Sequence, residues 1–252
     1  MVLVHCHPVD SRLFDGQLTA AAAGDLAARL VVIDLPGFGQ STLPSEMPDR
    51  YEIDDLADLV NAVIDHLRLA DPVLGGVAIG GTVAVEAARR RQTRTAGIVL
   101  VSNKPGGDPP ERAAVRESTA IEVLRDGTAA HAPRLARLAL TPDADPQVID
   151  RVEAMITAAE PRAVAALLRT ITNRPDLLPM LAELHLPTLV VGGRDDQISP
   201  PERVEELAAA LDQATLRLIP GAGHMAPIEA PQATTAILGE FLDDLIRARG
   251  RP

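Results

Sequence analysis

The chain has 252 residues, a formal net charge of −11, 46% hydrophobic and 23% charged residues. That length holds one α/β domain with a moderate insertion, or at most two small domains. The acidic balance, the lack of any Lys/Arg-rich run and the lack of an apolar run near the roughly 18–20 residues of a membrane span exclude nucleic acid and membrane as expected partners.

Short, near-continuous apolar runs recur at Val2–His5, Leu30–Asp34, Pro72–Val77, Gly97–Ser102, Thr188–Gly192 and Thr215–Ile219, each bounded by Gly, Pro or Asp. Such runs suit strands of a parallel sheet covered on both faces. No signal-peptide pattern follows Met1, and the single cysteine, Cys6, excludes an internal disulfide and fits a reducing cytoplasm. Helical stretches fall at about 15–29, 53–69, 80–91, 201–211 and 232–247; in the second, Ile53, Leu56, Leu59, Val60, Val63, Ile64 and Leu67 keep three-to-four spacing. Alternating strand and helix predicts a doubly wound, mainly parallel α/β sheet with right-handed crossovers. With no Trp and 2% aromatics, its core must be Leu, Val, Ile and Ala.

Residues 108–184 break the rhythm. They read as helices at about 109–126, 130–139, 146–159, 161–173 and 176–184, punctuated by prolines, with no strand. Because strands resume afterwards, this segment is expected to be a helical cap inserted into a core made of 1–107 and 185–252. A strand at residue 2 leaves no room for a leading hairpin.

The residues that carry chemistry lie at strand ends. Residues 72–85 run from an apolar strand through a glycine-flanked turn into a helix of small residues, the layout of a nucleophile elbow, Gly-x-Ser-x-Gly. Here the frame is Gly76-Val77-Ala78-Ile79-Gly80, with a methyl group where the attacking oxygen belongs. Asp195 and Asp196 follow the fifth run in Gly192-Gly193-Arg194-Asp195-Asp196, and His224 follows the sixth in Pro220-Gly221-Ala222-Gly223-His224. Sites in α/β sheets form beyond the carboxyl ends of strands. A histidine there can take a proton, and a buried carboxylate fixes its tautomer and steadies the imidazolium. Asp196, three residues after Gly193, is the favoured acid. Lys104, after Asn103 at the end of the fourth run, lies at the same edge; with His7 and His224 it gives a positive character suited to a carboxylate or enolate.

On these motifs the whole chain resembles the α/β-hydrolase superfamily, nearest its enol-lactonase-like and small-esterase branch. The resemblance rests on His5-Cys6-His7-Pro8-Val9-Asp10, on Asp34-Leu35-Pro36-Gly37-Phe38-Gly39-Gln40-Ser41, on the elbow, and on the acid and histidine loops in that order. It implies a site of Ala78 at the nucleophile position, acid Asp196, base His224, and an oxyanion hole from the backbone N–H groups of His7 and Ile79, with Asn103 and Lys104 near the substrate. The sequence departs from the family pattern at Ala78 and at Cys6, where Gly or Ala is usual, and in its missing leading strands, which would make Leu30–Asp34 a sheet edge. Cys6 reads as a packing residue rather than a substitute nucleophile.

Three functions fit. One is an ester or lactone hydrolase inactivated at its serine. Another is a natural enzyme without a covalent step, using His224–Asp196 as general base for C–C cleavage, decarboxylation, cyclisation, isomerisation or cofactor-free oxygenation. The third is a binding protein that keeps the pocket. All take a small-molecule ligand. No metal-ligand cluster or phosphate-binding glycine motif is visible, so no metal or cofactor is expected. Cap residues such as Leu124, Leu138, Met155, Ile156, Leu167 and Leu168 suit either pocket or packing. Oligomeric state is not legible.

Overall fold

A computed structural model describes residues 1–91 and 94–250. Six parallel strands, β1 (Val2–Val4), β2 (Val31–Ile33), β3 (Val73–Val77), β4 (Gly97–Val101), β5 (Thr188–Gly193) and β6 (Ala214–Ile219), form one sheet in the order β2-β1-β3-β4-β5-β6. All six apolar runs are strands, each trimmed or shifted by a residue or two at its ends. The chain steps from β1 outward to β2 and then back across to β3, so β2 is an edge and the connections reverse direction at β1. That reversal leaves a crevice at the carboxyl ends of β1 and β3.

Strand side chains alternate between two cores. Val2, Val4, Leu74, Ile98, Leu100 and Val190 point into one, while Leu3, Val73, Val99, Val101, Leu189 and Val191 point into the other. On the first face lie α2 (Ile53–His66), α3 (Ile79–Arg89) and α9 (Pro201–Ala209), which bury Leu56, Val83 and Leu207 among others. The second face holds α1 (Asp15–Ala23) and α11 (Pro231–Arg249), which pack on each other. The core is aliphatic as composition requires, yet the few aromatics are not spared for the surface: Phe14, Phe38, Tyr51 and Phe241 are all buried.

Two helices end or begin where propensity alone misleads. Helix α1 stops at Ala23 because Gly24 takes a left-handed conformation, φ 90°, and caps it. In α2 the buried face is Ile53, Leu56, Ala57, Val60 and Ile64, whereas Leu59 is exposed, so the apolar stripe is narrower than the sequence suggests. A 3₁₀ turn at Ser11–Phe14 and the one-turn helix α10 (Ala226–Glu229) have no apolar period to announce them.

Between β4 and β5 lie α4 (Pro110–Asp126), α5 (Ala132–Ala139), α6 (Pro146–Ala158), α7 (Pro161–Thr172) and α8 (Leu177–Ala182), and among the described residues no strand. Each begins at or beside a proline or a capping aspartate, as with Asp145 accepting from Gln147 N–H and Asp176 from Leu178 N–H. Helix α7 is buried nearly all round and packs against α4, on which Ile121 is exposed and Val115, also exposed, lines a cavity. Met155, Ile156 and Leu167 are packing residues, while Leu124 is exposed. No helix is long and apolar enough to cross a membrane.

Candidate active site

The elbow is built from what its neighbours leave no room for. Strand β3 delivers Ala78 into a turn with φ 49° and ψ −114°, and α3 starts at once. L-residues rarely adopt that conformation. The glycines on either side let the turn close. A Cβ at Gly76 or Gly80 would run into the Val4 carbonyl of β1, and one at Gly81 would meet the Asn103 side chain. Strand β4 fastens the turn from the other side: Ala78 N–H donates to Val101 O at 2.9 Å, and Asn103 Nδ2 donates to Ala78 O at 2.7 Å. Ser102, at the end of β4, is itself left-handed at φ 53°, and its N–H donates to Val191 O at 2.8 Å. Asn103 thus holds the elbow, and it also lines the cavity above it.

The acid and the histidine meet as the order of strands requires. His224 Nδ1 lies 2.9 Å from Asp196 Oδ2, with both side chains buried. The second Asp196 oxygen accepts from Ile198 N–H at 2.8 Å and Ser199 N–H at 2.9 Å. Burial alone would raise this carboxyl; the attraction and hydrogen bond of His224 and the two N–H donors outweigh it and hold Asp196 below the usual carboxylate range. Asp195 is exposed and takes no part. An ionised, fully hydrogen-bonded Asp196 favours the proton on Nδ1, which leaves Nε2 as the free base. Nε2 has no hydrogen-bond partner in the protein among the described residues, and His224 lines the cavity.

Glu229, which the sequence reading passes over, fixes this histidine in place. Its carboxylate accepts from the N–H groups of Gly223 (3.1 Å), Met225 (2.9 Å) and Thr141 (2.7 Å). The first two clasp the His224 loop; the third ties it to the turn after α5. His224 N–H adds a bond to Ala139 O at 3.0 Å. Burial pushes the Glu229 carboxyl up despite its three donors. The one signal for it was an isolated acid in the otherwise apolar run Met225–Pro231.

The loop after β1 is pinned from beneath. His5 Nε2 accepts Leu35 N–H at 3.0 Å, and its Nδ1 lies 2.9 Å from Cys6 O, so the proton sits on Nδ1. Asp34 accepts from Ser11 N–H at 2.7 Å and Gln40 N–H at 2.9 Å. These contacts explain the Asp34–Ser41 motif as scaffolding. Cys6 is fully buried away from the cavity, its thiol pushed up to about 12 by burial, which leaves it inert. His7 reaches the cavity; burial first, then the Arg116 charge, depresses its imidazole to about 3, so it is neutral at pH 7. Neither the His7 nor the Ile79 backbone N–H donates to another protein group among the described residues.

The cavity itself measures about 420 Å³, within the usual range of ligand pockets, and is lined by Ala78, Ile79, His7 and His224 below and by α4, α5 and α7 above. Lys104 lines it, but its ammonium is engaged: Nζ donates to Ile198 O at 3.2 Å and lies 3.4 Å from Asp108 Oδ1. The positive wall comes instead from residues not singled out in the sequence, Arg112, Arg116, Arg134 and Arg174. Among the described residues no group of three or more His, Cys, Asp or Glu is placed to hold a metal ion.

A strand–elbow–helix turn, an acid and a histidine, in that chain order and at one edge of a parallel sheet, are the arrangement of an α/β-hydrolase. The chain belongs to the alpha/beta hydrolase fold family, whose model matches residues 1–231. It is 26% identical to an AB hydrolase superfamily protein of Bacillus subtilis, over 96% of this chain and 90% of that one. It is also similar to a malate-bound thermophilic esterase from Thermogutta terrifontis, with 34% identity, a TM-score of 0.89 and coverage of 97% and 89% of the two chains. An enol-lactonase from Burkholderia xenovorans shares 25% identity and a TM-score of 0.85, over 96% of this chain and 90% of that one.

Proposed function

We propose that this chain is the frame of a hydrolase for small or medium esters, lactones or related carboxylic substrates, with its nucleophilic serine replaced by Ala78. In this reading Asp196 orients His224, the N–H groups of Ile79 and His7 receive the oxyanion, and residues 108–184 cap the substrate. The observation that carries it is the backbone of Ala78. A left-handed, non-glycine residue costs about 1–3 kcal/mol and persists where the surroundings enforce it. Here the whole elbow and a buried dyad are maintained around a methyl group. Hydrolysis in this fold begins when an oxygen at that position attacks the carbonyl carbon while the imidazole takes its proton. A methyl cannot do this, so the chain as it stands holds substrate without forming an acyl-enzyme. Esterase and enol-lactonase relatives support the substrate class.

A second reading is favoured by His224, which lines the cavity and whose Nε2 has no protein partner among the described residues. In it, His224 removes a C–H or O–H proton from a carboxylic substrate, and the two backbone N–H groups hold the resulting enolate.

Ala78→Ser separates the two. The hydrolase reading expects the variant to cleave short aryl esters and enol-lactones about 10³-fold faster or more than the parent, given what loss of a triad serine costs elsewhere. It also expects a covalent acyl adduct by mass spectrometry and loss of the gain on adding His224→Ala. If Ala78→Ser stays at background, this reading fails. His224-dependent turnover by the Ala78 protein would then establish the second reading, and ligand binding without turnover a recognition protein.

A further inference from the structure

The cavity carries a charge pattern opposite to that of the molecule. Five cationic side chains line it, Lys104, Arg112, Arg116, Arg134 and Arg174, against two acidic ones, Asp108 and Glu111, in a chain of net charge −11. Their pairing is unequal. The fully buried Asp108 carboxylate serves Lys104 and Arg116 together, and Arg134 has Glu122 at 3.4 Å. Arg112 and Arg174 make no ion pair among the described residues. Arg112 Nη1 donates once, to Ile198 O at 3.1 Å. Arg174 reaches only Lys104 O, at 3.5 Å from each Nη. Its burial is deep enough to lower the guanidinium from its ordinary value, outweighing the opposing pull of Asp108 and Asp176. A partly desolvated guanidinium with most of its five donors unused is expensive to keep, and it is the group best shaped to receive a carboxylate in a two-pronged contact.

We propose that Arg112 and Arg174 form a carboxylate-binding subsite of this cavity, so that its ligand is a two-ended acid. The carboxylate docks between α4 and the turn after α7, and an ester, lactone or enolisable carbonyl lies at the other end, over Ala78 and beside His224. The inference deepens the substrate reading given above and rests on the cavity being the substrate site. Leu135, Leu168 and Ile171 line the space as well and favour a short aliphatic spacer. Lys104 and Arg116 share the Asp108 carboxylate, so the cavity cations with no acidic partner among the described residues are the two arginines.

The test is made on the Ala78 protein by calorimetry, so it needs no turnover. The probes are the monoethyl esters of the dicarboxylic acids from malonate to adipate, the matching uncharged diethyl esters, and inorganic phosphate. At least one half-ester is expected to bind about 10-fold tighter than its diester, the scale of one charge-assisted contact. High salt should shrink the preference, and the double variant Arg112→Gln/Arg174→Gln should abolish it. The comparison of half-ester with diester on the parent protein stands whether or not the double variant folds. A half-ester that binds no better than its diester, or not at all, across the series overturns the subsite. So does phosphate binding tighter than every half-ester, or a preference that survives in a folded double variant. Failure here is separable from failure of the hydrolase reading: a selective half-ester with an inert Ala78→Ser variant removes the latter alone, and an active Ala78→Ser variant with no anion preference removes the former alone.

Discussion

His7 couples the site to the stability of the protein through pH. In the unfolded chain its imidazole titrates near 6.5, whereas in the fold it takes a proton only at about 3. Between those values the unfolded state binds a proton that the folded state refuses. Stability therefore falls as pH drops below about 6.5, by up to about 1.4 kcal/mol per pH unit for each such group. His5, also buried and depressed, adds to the slope. Asp196 does not act in that window. Its folded carboxyl lies below the unfolded value of 3.8, so its contribution is present at neutral pH and is lost only in stronger acid. Urea titrations at pH 7.5 and 5 should show a clear loss of stability for the parent and a smaller loss for His7→Gln. An equal loss in both would assign the slope to other groups.

At the level of elements, two segments hold the site rigid. The first is the start of α3, where Gly80 lies against the carbonyls of Val4 and His5. Backbone cannot yield as a side-chain tip can, so Gly80→Ala should push α3 off the sheet. Destabilisation of about 3 kcal/mol or more is expected, an overpacking cost at the high end of the usual range, read as a lower denaturant midpoint. The second is the His224 loop with α10. Glu229→Ala would strand the N–H groups of Thr141, Gly223 and Met225. A loss of about 2–4 kcal/mol is expected from buried donors left unpaired, with Glu229→Gln falling between, since one amide oxygen can still accept. If the two Glu229 variants are equally stable, the clasp has no energetic weight. The start of α3 was legible as the helix after the elbow; the His224 loop with α10 was not, because α10 is a single turn and nothing in the sequence says which backbone groups Glu229 will find.

For the whole molecule, the central strands join two cores that the sheet separates. Leu100, fully buried on β4 with β3 and β5 at its sides, faces the α2/α3 core. Leu100→Ala should cost about 3–5 kcal/mol, because a position fixed by two neighbouring strands and covered by helices cannot collapse into the cavity it leaves. Thermal or urea unfolding measures this; a cost below about 1 kcal/mol would mean the core relaxes freely.

The sequence by itself determined the six strands, the parallel architecture and the pairing of Asp196 with His224. Those follow from local apolar runs and from the rule that sites lie beyond strand ends, which needs only chain order. It also placed Ala78 in a turn, since the glycines around it read as a close approach before anything was known of what they approach. Tertiary structure decided the rest. Lys104 is engaged by Asp108 and Ile198, while Arg112 on α4 and Arg174 just after α7, both unremarkable in sequence, line the cavity. Which face of a helix meets a cavity depends on how the helix is packed, and which charge is left over depends on partners distant in the chain. The elbow is the meeting point of the two: sequence puts a methyl group there, and the fold surrounds that methyl with a buried histidine, the aspartate bonded to it and an arginine-lined wall.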